Sequence, residues 1–268
     1  QEILDIAIQP DGKIIGGGNT GNLTFQDFMV VRFNANGTPD ASFGSSGIGV
    51  IQTSFVSNDF CRSVAFQTDG KIVAGGYTAD FNATDFALMR ITATGSLDTT
   101  FDTDGKLTTS IRQQDILNKV LLQPDGKIIA TGNSQNIGQN ADTALIRYNP
   151  NGSLDTSFDV DGIATTNDGA FDETPAAALQ PDGKIIVAEQ RDFNNAALIR
   201  FNPNGSLDTS FHGDGIFNFS ASTYTNTFPR AIAIQPDGKI IISGSQGPDI
   251  FLSRLLGDPR KSFTNFNA

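Results

Sequence analysis

The sequence predicts an all-β protein, a five-bladed β-propeller with four antiparallel strands per blade. Three observations predict it. A unit of about 55 residues recurs five times across the 268-residue chain. Each unit carries the same motifs in the same order. The composition is that of turns and strands, with 28 Gly and with 26 Asp against only three Glu (Glu2, Glu173 and Glu189). Glu favours helices, whereas the short Asp side chain bonds nearby backbone amides and favours turns.

The unit is marked first by a turn. Asp-Gly-Lys followed by two apolar residues begins at Asp11, Asp69, Asp125, Asp182 and Asp237, at spacings of 58, 56, 57 and 55. An apolar stretch then ends on an arginine: Arg32, Arg90, Arg147, Arg200 and Arg254. Gly-x-x-x-x-Ser/Thr-Phe follows at 37–43, 95–101, 152–158, 205–211 and 257–263. A fixed period of this length is the signature of a repeat architecture. We place the repeat units at about 1–55, 56–112, 113–167, 168–222 and 223–268, within one domain of residues 1–268.

Each unit reads as four strands. The first covers 6–9, 64–67, 120–123, 177–180 and 232–235. Gln-Pro-Asp-Gly, or Gln-Thr-Asp-Gly in the second unit, then makes a tight turn, with Pro presetting φ and Gly accepting the left-handed position. The second strand is a continuous apolar run such as KIVAGG, a pattern of burial on both faces. The third reads DFALMR, and the fourth follows the Ser-Phe loop, as at 106–111 and 216–220. Such sheets cannot close a core alone. Stacking them around an axis covers their faces and protects their edges. The tail at 264–268 resembles 217–221, so the fifth unit is expected to complete itself and meet the first at a seam.

Over 63–109, SVAFQTDGKIVAGG…DFALMRITATGSLDTTFDTDGKLTT, the sequence resembles the delta-60 repeat family of bacterial β-propellers. The resemblance extends over essentially the whole chain. It implies a propeller that is secreted or displayed on a cell surface, and it implies little about activity. Three places depart from the pattern. Ser46-Gly47 replaces Asp-Gly in the first unit, Asn195 replaces the opening Asp of the fourth unit's third strand, and Arg260 replaces the loop Asp of the fifth.

Composition excludes several function classes. A net charge of −11 opposes binding to phosphate backbones or anionic membranes. No apolar run approaches the roughly 18 residues of a membrane helix. No signal-peptide pattern opens the given chain, which leaves the compartment to the resemblance: extracellular or cell surface. Cys61 is the single cysteine and His212 the single histidine, so no internal disulfide and no histidine metal cluster forms. We expect Cys61 half-buried and His212 solvated in a loop. The Asp-rich turns at 102–104 and 159–161 lack the ligand count and closing Glu of a calcium loop. No cofactor is expected.

Recurrence assigns most charge to the scaffold. Each arginine precedes a loop aspartate by eight residues in four units (32 and 40, 90 and 98, 147 and 155, 200 and 208), a spacing that predicts an Arg–Asp pair or an Arg-to-carbonyl clamp. The repeated Phe43, Phe101, Phe158, Phe211 and Phe263 read as plugs between units.

Function is then expected where the copies differ. One set of variable connections is 19–26, 77–84, 133–141, 190–194 and 245–248, and the other is 56–62, 112–118, 167–174 and 221–229. Binding residues concentrate on such loops. The candidates are Phe25, Asp59, Phe60, Phe81, Asp115, Asp172, Arg191, Phe193 and Tyr224. The function read from this pattern is a non-enzymatic module that contacts a protein or glycan partner or builds a surface assembly, with the oligomeric state left open. Two alternatives accompany it. One is a multivalent lectin. The other is a glycan hydrolase or lyase using Asp5, Asp115 and Asp172, which needs paired carboxylates about 5–10 Å apart.

Overall fold

The computed structural model describes residues 2–21, 26–47, 49–55, 58–80, 82–166, 172–191, 195–219, 227–255 and 263–267. Among them there are twenty strands and no helix. The first repeat is β1 (Glu2–Ile8), β2 (Ile14–Gly21), β3 (Gln26–Phe33) and β4 (Val50–Thr53). The second is β5 (Asn58–Phe66), β6 (Ile72–Ala79), β7 (Thr84–Ile91) and β8 (Lys106–Thr109). The third is β9 (Gln114–Leu122), β10 (Ile128–Gln135), β11 (Asp142–Tyr148) and β12 (Ile163–Thr165). The fourth is β13 (Asp172–Leu179), β14 (Ile185–Arg191), β15 (Asn195–Phe201) and β16 (Ile216–Phe219). The fifth is β17 (Thr227–Ile234), β18 (Ile240–Gln246), β19 (Asp249–Leu255) and β20 (Phe263–Asn267).

Within each repeat the strands follow sequence order. Repeats two and three share one eight-stranded sheet, joined by a single parallel pairing of Thr84 with Gln114. The tail strand β20 pairs with β19, Leu255 opposite Phe263, so the fifth repeat has its fourth strand. The chain divides into two compact units, and the boundary runs through the third repeat. Unit one is 1–130, 134–137 and 148–153, and unit two is the remainder.

The turn chemistry follows the residues. In each Gln-Pro/Thr-Asp-Gly-Lys turn the Gly amide donates to the Gln carbonyl, and the Gln amide to the Lys carbonyl, as for Gly12, Gln9 and Lys13. Gly12 sits at φ +84°, where only glycine is at ease. The preceding Asp11 carboxylate accepts from the Lys13 amide at 3.1 Å. The second and third strands are buried on both faces in the second repeat, as their unbroken apolar runs require.

The first strands are longer than the sequence pattern suggests. They begin well upstream, at Asn58 rather than Val64 in the second repeat. The reason is a bulge. Cys61 pairs with Gly76 and Ser63 with Gly75, leaving Arg62 as the extra residue. Leu4 and Arg230 are the extra residues at the same place in repeats one and five. The bulge breaks the period-two alternation by which a strand is recognised. It also bends the strand onto its partner. A Cβ at Gly76 would lie 1.8 Å from the Phe60 carbonyl oxygen, and one at Gly18 would lie 1.9 Å from that of Glu2.

The arginine clamp is present as the spacing predicts. Arg32, Arg90, Arg147 and Arg200 each donate from Nε to Asp40, Asp98, Asp155 and Asp208, at 2.6–2.8 Å. Each guanidinium also lies over the repeated Phe ring, 4.3–4.8 Å from its centroid. Nη1 reaches the following repeat. Arg32 donates to the Ala93 carbonyl at 2.7 Å, Arg90 to Pro150 and Arg147 to Pro203. The turn lysines Lys13, Lys71 and Lys184 add Nζ contacts of 2.9–3.0 Å to the same aspartates. The other carboxylate oxygen accepts from a Ser or Thr two residues on, as Asp98 does from the amide and hydroxyl of Thr100.

Between repeats one and two the core combines Ile15, Phe28, Val30 and Phe43 with Cys61, Val64, Ile72, Ala74 and Met89. Between repeats four and five it combines Ile186, Leu198 and Phe211 with Ile240, Ile242 and Phe251. Cys61 is fully rather than half buried.

Three outcomes follow from these contacts. Arg90→Ala leaves Asp98 buried and without its guanidinium, and should cost about 3–5 kcal/mol in urea unfolding. Hydrogen bonds hold Asp40, Asp98 and Asp208 well below the ordinary carboxylate value. At Asp40 the Ser42 hydroxyl contributes most. At Asp98 and Asp208 burial acts to raise the value but is outweighed by bonds from Thr100 and Lys71, and from Ser210 and Lys184. A depressed native value contributes stability above the unfolded value of about 3.9, lost as pH falls below it. The thermal midpoint should therefore drop steeply below about pH 4, and Asp98→Asn should make the drop shallower. Burial pushes the Cys61 thiol up to about 12. A thiol reagent should accordingly label the native chain far more slowly than the urea-unfolded one.

Candidate functional site

The nine sequence-derived candidates separate once they are placed. Phe25, Phe81, Phe193 and Tyr224 lie outside the described residues, and Asp172, at the start of β13, is described by its backbone alone. Asp59 and Asp115 are not loop residues. They lie in β5 and β9 and are completely buried. Asp59 accepts from the Phe55 amide at 2.7 Å and the Ser54 hydroxyl at 3.1 Å. Asp115 accepts from the Ile111 amide at 2.6 Å, the Arg112 amide at 3.0 Å and the Ser134 hydroxyl at 2.5 Å. Burial raises the Asp115 carboxyl above its ordinary value, against the pull of those bonds. These two carboxylates cap the segment that enters their strand, a scaffold role in place of the expected ligand contact.

Arg191 is also engaged. Its Nε lies 3.3 Å from Glu189 Oε1, and Nη1 donates to Asn218 Oδ1 at 2.6 Å. Glu189 was not singled out by sequence reasoning. It stands in the second strand where the other repeats have Gly18, Gly76, Gly132 and Gly244, and it is completely buried. Its Oε2 accepts from the Thr143 hydroxyl at 2.5 Å, which lies 2.8 Å from that of Thr174. Thr143 in turn stands where earlier repeats have Phe28 and Phe86. A glutamate at a glycine position, in a chain with three glutamates, was the available signal.

Phe60 is the candidate that remains open to a partner. It stacks on Tyr77 with ring centroids 4.8 Å apart and planes 19° apart. The bulge residue Arg62 is exposed, with its guanidinium 5.6 Å from the Tyr77 centroid and Nη2 3.4 Å from the Tyr77 hydroxyl. The arrangement partly recurs in repeat five, where Arg230 lies 5.7 Å from the ring of Phe228. A bulge re-aims a side chain out of the pleat, which frees these arginines from the ladder. Both rings are half-buried, so they form a fixed base beneath a mobile cation. Such a base suits the apolar face of a sugar or an aromatic side chain, and the guanidinium suits a carboxylate or hydroxyl.

The carboxylates of the hydrolase alternative are committed elsewhere. Asp5 accepts from the Ser63 hydroxyl at 2.8 Å, the Val64 amide at 3.0 Å and Lys119 Nζ at 2.8 Å. One side chain thereby ties three repeats of unit one together. Among the described residues no group of three or more His, Cys, Asp and Glu is placed to hold a metal. The Asp-rich turns are Asx turns, with Asp104 and Asp161 accepting from the Lys106 and Ile163 amides. His212 is exposed and takes the left-handed backbone of Asp102 and Asp159, a conformation that Asp and His tolerate better than most residues. A groove of about 900 Å³ in unit one is lined by the repeated turns around Gln67–Lys71 and Gln123–Gly126, so its walls are scaffold residues.

No curated protein matches the chain by sequence. Among solved structures it is similar to a protein of unknown function from Bacteroides caccae, at 12% identity and a TM-score of 0.56, over 96% of this chain and 73% of that one. It is also similar to the extracellular domain of a provisionally assigned one-component system from B. thetaiotaomicron, at 14% identity and a TM-score of 0.48. That match covers 94% of this chain and 27% of the other. The first likeness bears on the fold alone, and the second carries no argument. The family model described as "Domain of unknown function (DUF5122) beta-propeller" matches residues 9–43, 67–101, 123–158, 180–211 and 235–258, more than half of the chain and one segment per repeat. These segments are the turn-to-Ser-Phe stretches that carry the delta-60 resemblance, and the chain belongs to the DUF5122 β-propeller family.

Proposed function

We propose that the chain is a non-enzymatic binding module, its five repeats acting as five propeller blades, that meets a protein or glycan partner through its first-strand bulges and the variable connections beside them. One observation carries this reading. The charge that recurs is spent on the scaffold, whereas the Phe60–Tyr77–Arg62 group departs from the repeat and presents an exposed cation on a stacked aromatic base. We place the module outside the cell or on its surface, following the delta-60 resemblance.

Glycan and peptide arrays probed with the chain and with the Phe60→Ala/Arg62→Ala variant test the proposal. The expected outcome is a hit that the variant loses by at least about tenfold, the scale of one desolvated cation–π contact with its hydrogen bond. The variant should keep its urea midpoint within about 1 kcal/mol, because both side chains lie at the surface or half-buried. Hits of equal strength for the variant would exclude this group. Cleavage of a bound glycan would exclude the non-enzymatic reading.

A further inference from the structure

The chain builds one kind of interface four times, between successive repeats, and carries its two halves once more without a partner. In repeats two to four a first-strand residue packs on the preceding repeat. Val64 is 4% exposed, Val120 3% and Ala177 5%. The receiving positions are glycines where the approach is closest. A Cβ at Gly17 would lie 2.2 Å from Val64 Cγ1, and one at Gly75 would lie 2.4 Å from Val120 Cγ2. In the first repeat the same position is Ile6, and it is 62% exposed. Ile3 and Ile8 beside it are 46% and 68% exposed.

The third strands show the opposite half. Four and two residues before the clamp arginine stand Phe28 and Val30, Phe86 and Leu88, Thr143 and Leu145, Ala196 and Leu198, all completely buried. In the fifth repeat these positions are Ile250 and Leu252, at 73% and 48% exposure. The arginine repeats the distinction. Arg32, Arg90 and Arg147 donate to a carbonyl of the following repeat, whereas Arg254 has a buried Nε with no hydrogen-bond partner among the described residues. The receiving residue always lies three positions after the next clamp arginine: Ala93, Pro150, Pro203. In the first repeat that residue is Ala35, which is exposed.

We propose that the chain associates head to tail with a second copy, the Ile250–Leu252–Arg254 face of one seated on the Ile3–Ile6–Ile8 face of the other, with Arg254 donating to the Ala35 carbonyl of the second copy. The partner is a second copy because it brings the missing half with the residue pattern already used four times. The contact is heterologous, so two different patches meet and each copy offers one of each. The inference is independent of what the bulges and connections bind.

Sedimentation velocity at about 100 μM tests it, a concentration at which a micromolar Kd leaves little monomer. The wild-type chain should sediment as a dimer or larger species. Ile6→Lys blocks one face and Leu252→Lys the other. Both residues are exposed in the single chain, so each variant should keep the wild-type circular dichroism and unfolding midpoint. Each variant alone should lose the large species above the dimer. Mixed at equal concentration they can form one interface only, and should yield a heterodimer that neither forms alone. A monomeric wild-type chain would overturn the proposal and favour closure of the two faces within one chain. Wild-type association that survives both substitutions would overturn it too, since the association would then use another surface.

Discussion

The guanidinium at the end of each third strand is the contact on which the architecture depends. A β-sheet with two apolar faces is unstable until both are covered, and the loop that follows must be held so that the next sheet can approach. One arginine does both. Its Nε fixes the loop aspartate, its plane rests on the loop phenylalanine, and its Nη1 reaches a carbonyl of the next repeat. A lysine could supply the charge, but it lacks the fork that holds an acid and a carbonyl together. The aspartate is as fully used, with one oxygen on two cations and the other on a Ser or Thr. No part of the group is left for a ligand, and so a motif built from four ionisable residue types can recur without forming a site.

The bulge in the first strand is the second organising feature, and it separates scaffold from surface. It brings the strand down onto a glycine of its neighbour and turns one residue outward. The strand before it enters the core, where Asp59 and Asp115 are spent on backbone amides. The outward residue escapes the repeat's constraints and varies: Leu4, Arg62, Asn118, Arg230. The candidate binding group forms where an aromatic precedes such an arginine. Repeat four shows that the scaffold tolerates exchange when it is compensated. Glutamate replaces the glycine, threonine replaces the phenylalanine facing it, and hydroxyls meet the carboxylate. Burying that carboxylate without them would be costly.

Much of this was legible in the sequence, for reasons that can be named. The clamp was readable because both partners lie eight residues apart and recur four times, so spacing substitutes for a contact map. The Gln-Pro-Asp-Gly turn was readable because Pro and Gly prefer specific backbone angles. Asp59 and Asp115 were misplaced because the bulge interrupts alternation, and residues ahead of it look like a loop. Arg191 looked free because its partner Glu189 lies two residues away on the same strand and is unique to that repeat. Phe60 was legible as a departure from the repeat, but its stacking on Tyr77 was not, since that pairing depends on strand register.

The sequence by itself determined what is local or repeated: the period, the four-strand unit, the turns, the clamp and the dispensability of most charged residues for binding. Only the tertiary structure decided which non-repeated residues are buried, because burial depends on a neighbour about 55 residues away rather than on the residue itself. Ile6 and Val64 are equivalent in sequence, yet one is exposed and the other covered. The difference lies in the presence of a preceding sheet, a property of the assembled repeats that no single repeat encodes.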